Sequence, residues 1–277
     1  MTKLLGTIVS FLLLANLMAQ PPKQVIKKLP IKDSTQKYTD SIRSLPPLEV
    51  KSIRVNESSP FAKTNLSKDI ISKINLGQDL PFLIQSTPSV VVHSDAGTGI
   101  GYTGIRIRGT DGTRINVTLN GIPYNDAESS MTYFVDLPDF SSSVNSIQIQ
   151  RGVGTSTNGA GAFGATMNLS TNNYNPNAYL SFNNSIGSFN SLKNNLVLGS
   201  GLIKNHFTID GRLSRISSDG YMDRAFSNLN SFYVSGTYWG NHSSLRLNVF
   251  SGKEKTYQSW YGVPEELLAS NRTYNPA

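Results

Sequence analysis

From His206 to Phe250 apolar and polar residues alternate with a period of two, and that pattern restricts the fold more than any other feature of the chain. HFTIDGRLS (206–214) puts Phe207, Ile209, Gly211 and Leu213 on one face, with His206, Thr208, Asp210, Arg212 and Ser214 on the other. SFYVSGTYW (231–239) sets Phe232, Val234 and Tyr238 against Ser231, Ser235 and Thr237; SLRLNVF (244–250) sets Leu245, Leu247 and Val249 against Arg246 and Asn248. A two-residue period belongs to strands, not helices. AYLSFNNSIG and SLKNNLVLGSG are weaker versions. The result is a set of five strands of about 9–11 residues, the length of a tilted membrane-crossing strand. GSFN, GLIKN and GNHS are short connections and RISSDGYMDRAFSN a longer one, while Tyr233, Tyr238 and Trp239 near strand ends suit an aromatic girdle. Half of a soluble β-sandwich would alternate in the same way. Five strands do not close a barrel, whose single-chain forms start at about eight. The expectation is antiparallel transmembrane strands of an incomplete barrel, truncated at NRTYNPA in loop-like sequence.

The N-terminus reads as an export signal. Lys3 precedes the apolar run LLGTIVSFLLLANLMAQ, and Ala19 offers a small residue for cleavage. The run is too short and too interrupted for a comfortable bilayer helix, and no other stretch approaches about 18 apolar residues. An exported chain without a membrane helix is a soluble envelope protein, a secreted protein or a β-barrel. The absence of cysteine removes disulfides, thiolate metal sites and a cysteine nucleophile. Formal net charge is +7, with Lys23, Lys27, Lys28, Lys32, Lys37 and Arg43 crowded near the start. Tyr38 is the one aromatic side chain among them, which is no series of platforms for bases to stack on, so the basic tail reads as solvated and no nucleic-acid partner is expected. The domains expected are a signal peptide (1–19), a mobile periplasmic segment (20–47), a small mixed α/β domain with its leading segment (48–172), and the start of the barrel (173–277).

Within 48–172, Ser67 is placed to cap a helix at KDIISKI and Asp79 another at DLPFLIQ, with Pro81 in its first turn. SVVVH (89–93) reads as a buried strand and IRIRG (105–109) as a half-buried one. TRINVTLNGIP carries the tight turn Asn120-Gly121. SSVNSIQIQRG (142–152) puts Ile147 and Ile149 on one face of a strand, and ATMNLSTN follows as another.

Two G-x-G-x-x-G patterns occur, at Gly99, Gly101 and Gly104 and at Gly159, Gly161 and Gly164. A dinucleotide site of that type needs a helix immediately after the glycines, whose N-terminus holds the pyrophosphate. Strand-like sequence follows both copies, so neither makes a nucleotide site. GTSTN (154–158) falls one glycine short of a nucleophile elbow. His93, His206 and His242 are scattered; Asp136, Asp139 and Glu128 lie in polar text and read as solvated. No catalytic or metal-binding constellation emerges, so the chain is not expected to be an enzyme or to carry a cofactor.

DLPFLIQSTPSVVV, GIRIRGTDGTRINVTLNGIPYND and VNSIQIQRGVGTSTNGAGAFGATMNLST, in that order, resemble the plug domain of TonB-dependent outer-membrane receptors, most like the Bacteroidetes-type branch. The resemblance implies a plug seated inside a barrel of about 22 strands. It implies a receptor in the outer membrane of a Gram-negative bacterium, importing a scarce ligand such as a ferric siderophore or similar metal chelate. The energy comes through TonB, and outer-membrane lipid surrounds the wall. TonB pairs with an extended segment by strand addition; here the candidate is Leu48, Glu49, Val50, Lys51, Ser52 and Ile53. Arg108 and Arg151 match plug arginines that meet barrel glutamates, and in the family those glutamates lie further along than Ala277. Gly109, Gly121, Gly152 and Gly164 are the plug's turn glycines. His93, Tyr102, Tyr124 and Tyr133 are candidate ligand-facing residues. The alternative expectation is a free-standing periplasmic plug-like binding or signalling module without transport.

Overall fold

A computed structural model describes residues 53–277, apart from 57, 156, 158, 160, 172, 173, 241 and 242, all within one compact unit, Pro46–Ala277. The signal peptide, the segment 20–47, Leu48–Ser52 of the candidate TonB segment and His242 lie outside the described residues.

The first domain is built on a five-stranded sheet of order β1-β6-β7-β4-β5. Its strands are β1 (Lys63–Ser67), β4 (Ile115–Leu119), β5 (Ile122–Pro123), β6 (Ser146–Arg151) and β7 (Ala165–Ser170). Only β4 and β7 run parallel. Register explains the core: Ile147 faces Leu169 and Ile149 faces Met167 across β6 and β7, and all four are 2% exposed or less. Each such side chain contributes about 1.5–3 kcal/mol by burial. α1 (Lys68–Ile74) and α2 (Leu80–Leu83) close the core with Ile71, Leu80 and Leu83. Ser67 and Asp79 stand at the helix starts as expected, but neither side chain makes a capping bond.

Asn120-Gly121 forms the β4–β5 turn with φ of 52° and 88°, the paired left-handed geometry of a type I′ hairpin. Arg108-Gly109 repeats it, at 53° and 77°, with Thr110 folded back to donate to the Ile107 carbonyl at 3.0 Å. The strand expected over IRIRG therefore ends at Ile107, because Arg108 already belongs to the turn. β2 (Val90–Ser94) pairs only with β3 (Thr103–Ile107). With no second sheet over it, β2 is half-buried rather than buried, and Val91 is 63% exposed.

The C-terminal hundred residues form an antiparallel sheet in sequence order. It comprises β8 (Tyr179–Gly187), β9 (Ser191–Gly199), β10 (Phe207–Ser218), β11 (Ser227–Trp239) and β12 (Ser244–Thr256). It does not close on itself among the described residues. Its faces are inverted relative to a soluble sandwich. The outward face carries Phe182, Ile209, Leu213, Phe232 and Leu247, all exposed, while Lys193, Asn195, Thr208, Arg212, Ser214 and Ser235 are buried. A sandwich buries its apolar face; this sheet buries its polar one, against the first domain.

Candidate functional site

The surface joining the two domains is organised around one carboxylate. After a turn at Phe134–Asp136 the chain reads Leu137-Pro138-Asp139, and Asp139 sits in the left-handed region, at φ 49°, before a second turn at Phe140–Ser143. Asp residues tolerate this conformation better than most. It directs the side chain away from its own domain's core and into the polar face of the wall sheet.

There Asp139 Oδ1 receives Lys193 Nζ of β9 at 2.8 Å and Ser142 Oγ at 2.6 Å. Its Oδ2 receives Asn195 Nδ2 at 2.8 Å and the Ser214 hydroxyl, with Arg212 Nη1 of β10 at 3.5 Å. The charged side chains are 3% exposed or less. Remaining donors are used as well. Lys193 Nζ reaches Asn75 Oδ1 at 2.8 Å, Arg212 Nε reaches Ser143 Oγ at 2.7 Å, and Arg212 Nη1 reaches Ser231 Oγ at 3.0 Å. Burial by itself pushes the Asp139 carboxyl up, but the Lys193 and Arg212 charges outweigh it and hold the group below the ordinary carboxylate range. The reading of Asp139 as a solvated loop residue is thus corrected; Asp136 and Glu128 are exposed as expected.

An apolar contact flanks the cluster. Phe140 meets Tyr233 edge-on at 6.1 Å and Phe250 at 5.1 Å, and these wall aromatics join the first domain's core. Pro138 packs on Gly252 of β12, where a Cβ would lie 2.8 Å from its Cδ.

A second contact lies at the β2–β3 tip. The Ala96 carbonyl accepts from Tyr221 N at 2.8 Å in the β10–β11 loop, and Ile100 packs with Ile216 and Leu229. Gly99 lies against the Phe82 ring and Gly101 against Ser227 Oγ. The first G-x-G-x-x-G therefore serves close approach to neighbouring side chains. Beneath it, Asp79 accepts from Thr103 Oγ1 at 2.9 Å. Burial pushes this carboxyl well above its ordinary value, and Glu254 of β12 adds to the rise.

A third feature holds the leading segment. Gln148, Gln150 and Asn168 line the sheet face opposite the isoleucines. Gln150 Nε2 donates to Ile53 O at 2.9 Å and Asn168 Nδ2 to the same oxygen at 3.3 Å. Gln148 exchanges two bonds with the Val55 backbone, at 2.8 and 3.1 Å. Side-chain amides, rather than a neighbouring strand, thus satisfy the backbone groups of Ile53 and Val55.

Of the residues chosen from sequence, His93, Tyr102 and Tyr133 line one cavity of about 180 Å³ together with Arg106 and Asp111; that volume is below the roughly 300–1,000 Å³ of small-molecule sites. Tyr124 is elsewhere, packed against the core. Arg108 is exposed at its turn. Arg151 donates from Nη1 to Pro88 O at 3.3 Å, and its Nε is buried without a partner among the described residues. Gly109, Gly121 and Gly152 have φ between 77° and 96°. Gly164 serves differently: it is not among the positive-φ glycines, and a Cβ there would meet the Arg114 carbonyl at 2.8 Å. No group of three or more His, Asp or Glu among the described residues is placed to hold a metal ion. Sequence reasoning missed the Asp139 cluster. Its signal was a lysine and an arginine at inward positions of β9 and β10.

Residues 55–166 match the family model for the TonB-dependent receptor plug domain. No curated protein matches the sequence. Solved structures of similar fold include the siderophore receptor PirA from Acinetobacter baumannii, at 16% identity and a TM-score of 0.53, covering 71% of this chain and 32% of that one. The ferric-catecholate import receptor Fiu from E. coli K12 is similar at 16% identity and a TM-score of 0.57, covering 72% and 28%. The copper transporter OprC gives 16% and 0.57, covering 73% and 31%. The chain thus spans about a third of the length of these structures.

Proposed function

We propose that this chain, whose residues 55–166 form a TonB-dependent receptor plug domain, is the plug and first wall strands of an outer-membrane receptor that imports a ferric siderophore or similar metal chelate with energy from TonB. The Bacteroidetes-type motifs are part of this reading, as are the domain limits 1–19, 20–47, 48–172 and 173–277.

The observation that carries it is the inverted sheet, apolar outside and polar inside, with the plug latched to the polar side through Asp139. The position of the apolar band supports a membrane setting quantitatively. Leu180, Leu198, Gly211, Val234 and Val249 lie in one register row across the five strands. On β8 the outward apolar residues run from Leu180 to Ile186, forward of that row; on β12 they run from Leu245 to Val249, behind it. The centre of the band therefore slides by about five residues, roughly 17 Å, over four strand spacings of about 4.8 Å each. The slope is about 40°, within the range of strand tilt in membrane barrels. A free-standing periplasmic module would leave this face in water.

PirA and Fiu are named for siderophore or ferric-catecholate import and OprC for copper, which supports a metal or metal chelate as ligand. The amide-held segment at Ile53–Val55 adjoins the candidate TonB residues Leu48–Ile53. The test is uptake of a radiolabelled ferric siderophore by cells lacking their own receptors and expressing the protein that carries this chain. Uptake that disappears without TonB supports the proposal. Recovery of the protein in the periplasmic fraction, with ligand bound but not imported, refutes it in favour of the periplasmic module.

A further inference from the structure

Asn75 brings a carboxamide to the buried charges around Asp139. It ends α1, and its backbone N–H donates to Ile71 O at 2.9 Å, which fixes its place. Its Oδ1 accepts from Lys193 Nζ at 2.8 Å, and Nζ also lies 3.5 Å from the Asn75 carbonyl oxygen. Its Nδ2 donates to Ser141 Oγ and Ser142 Oγ, both at 3.0 Å, and to Asp139 Oδ1 at 3.4 Å. Asp139 Oδ1 is also the oxygen that receives Lys193 Nζ at 2.8 Å. One carboxylate oxygen thus touches both the lysine nitrogen and the amide nitrogen. The amide carbon, Cγ, lies one bond from an oxygen that the lysine already holds.

Lys193 and Arg212 share a single carboxylate that is 1% exposed, so the cluster holds an excess positive charge away from water. A buried charge without compensation is costly. Turning the Lys193 ammonium into a neutral amide removes the excess and leaves Asp139 and Arg212 as a one-to-one pair. The two cations keep Asp139 ionised, which makes it a base rather than an electrophile. The electrophile is the uncharged carboxamide of Asn75.

From this arrangement we infer that Lys193 and Asn75 join in an isopeptide bond that ties the plug covalently to β9, with Asp139 carrying the protons. Asp139 Oδ1 takes a proton from the ammonium, and the freed Nζ lone pair attacks Asn75 Cγ as the carbonyl π pair moves onto Oδ1. Asp139 gives that proton to Nδ2 and takes a second one from Nζ. The oxyanion pair then re-forms the carbonyl, and the Cγ–Nδ2 bond breaks with its electrons on nitrogen. The departing ammonia takes the second proton from Asp139. An ammonium and a carboxamide become a secondary amide and free ammonium, and Asp139 is restored. The bond fastens the plug at one point after α1 and leaves the segment before it unlinked to the wall. It requires only the docked plug and does not rest on the import reading.

The test isolates the expressed 277-residue chain, denatures it, digests it with trypsin and maps the peptides by mass spectrometry. A branched peptide is expected, joining residues 74–106 to 152–204, uncut at Lys193 and lighter by one ammonia than the two together. Followed from newly folded chain, its appearance should slow by about a hundredfold or more in D139N. N75D removes the electrophile and K193R the nucleophile, and each should abolish the branched peptide with the sheets intact by circular dichroism. The peptide map of the unaltered chain decides the matter should a variant fail to fold. Trypsin cleavage at Lys193 with Asn75 unlinked overturns the bond. Linkage of Lys193 to Asp139 with loss of water, read from the fragment spectrum, overturns the choice of Asn75. An unchanged rate in folded D139N overturns the role given to Asp139.

Discussion

Asp139 on the plug and Lys193 on β9 meet at 2.8 Å with their side chains 1% and 3% exposed. Arg212 shares the same carboxylate, so two cations depend on one anion in a place water does not reach. A buried pair of this kind contributes little net stability when intact but costs about 3–5 kcal/mol when one partner is removed. Such energetics suit a contact that must specify where the plug sits.

Asp139→Asn is expected to destabilise the plug–wall contact by about 3–5 kcal/mol, because Lys193 and Arg212 stay buried without a counter-charge. Asparagine tolerates the left-handed backbone at this position, so the change isolates charge from strain. Adding Lys193→Met should recover part of the loss. Melting in detergent micelles measures all the variants needed for the cycle, and simple additivity would mean that the two residues are not coupled.

The faces of the wall strands were legible in the sequence because a period of two survives in any single strand, whatever surrounds it. Asn120-Gly121 was legible because its backbone conformation is local. Asp139 was not, since nothing within a few residues of a polar loop carboxylate tells whether a lysine 54 positions later will cover it. The end of IRIRG was misjudged for a related reason: alternation continued to Arg108, but Gly109 had already committed the pair to a turn. The inverted sense of the sheet likewise needed the plug in place, since alternation fixes two faces without saying which is buried.

Asp79 gives a pH dependence of opposite sign to the usual carboxylate. Its folded-state pKa lies well above the ordinary value because of burial, opposed by the Thr103 bond and increased by Glu254. The folded state then holds a proton that the unfolded state releases above about pH 3.9. Stability from this group is present below that pH and is lost as pH rises towards the folded pKa. Asp79→Asn should flatten that fall, as read by melting temperature between about pH 4 and 8. An unchanged slope would place its origin elsewhere.

Gln150→Leu removes the 2.9 Å bond to the Ile53 carbonyl. Losing a buried donor costs about 1–3 kcal/mol, which translates to roughly tenfold or more in local opening. Hydrogen exchange and limited proteolysis at residues 53–56 should accelerate accordingly, while protection in β6 and β7 stays as it was. Unaltered exchange at 53–56 would show that Gln148 and Asn168 suffice.

Gly252→Val places a branched side chain where Pro138 already packs, since even a Cβ would lie 2.8 Å from the proline Cδ. Overpacking of this sort costs about 1–3 kcal/mol. The plug should become more accessible to protease with the wall sheet intact by circular dichroism. Valine itself suits a strand, so loss of the sheet is not expected.

Arg151 offers the sharpest view of what the wall strands beyond β12 would add. Its Nε is buried without a partner and its Nη1 makes only a 3.3 Å bond to Pro88. A half-buried guanidinium whose Nε is enclosed without an acceptor is positioned for one brought by another element. Arg151→Met keeps the length and removes the charge. In this chain it should change plug stability by no more than about 0.5 kcal/mol. In a receptor with a complete barrel, the same change should loosen the plug, seen as faster proteolysis, with Arg108→Ala acting in the same direction. If Arg151→Met unfolds the plug of the present chain, the arginine serves the plug's own structure and the proposed wall contact fails.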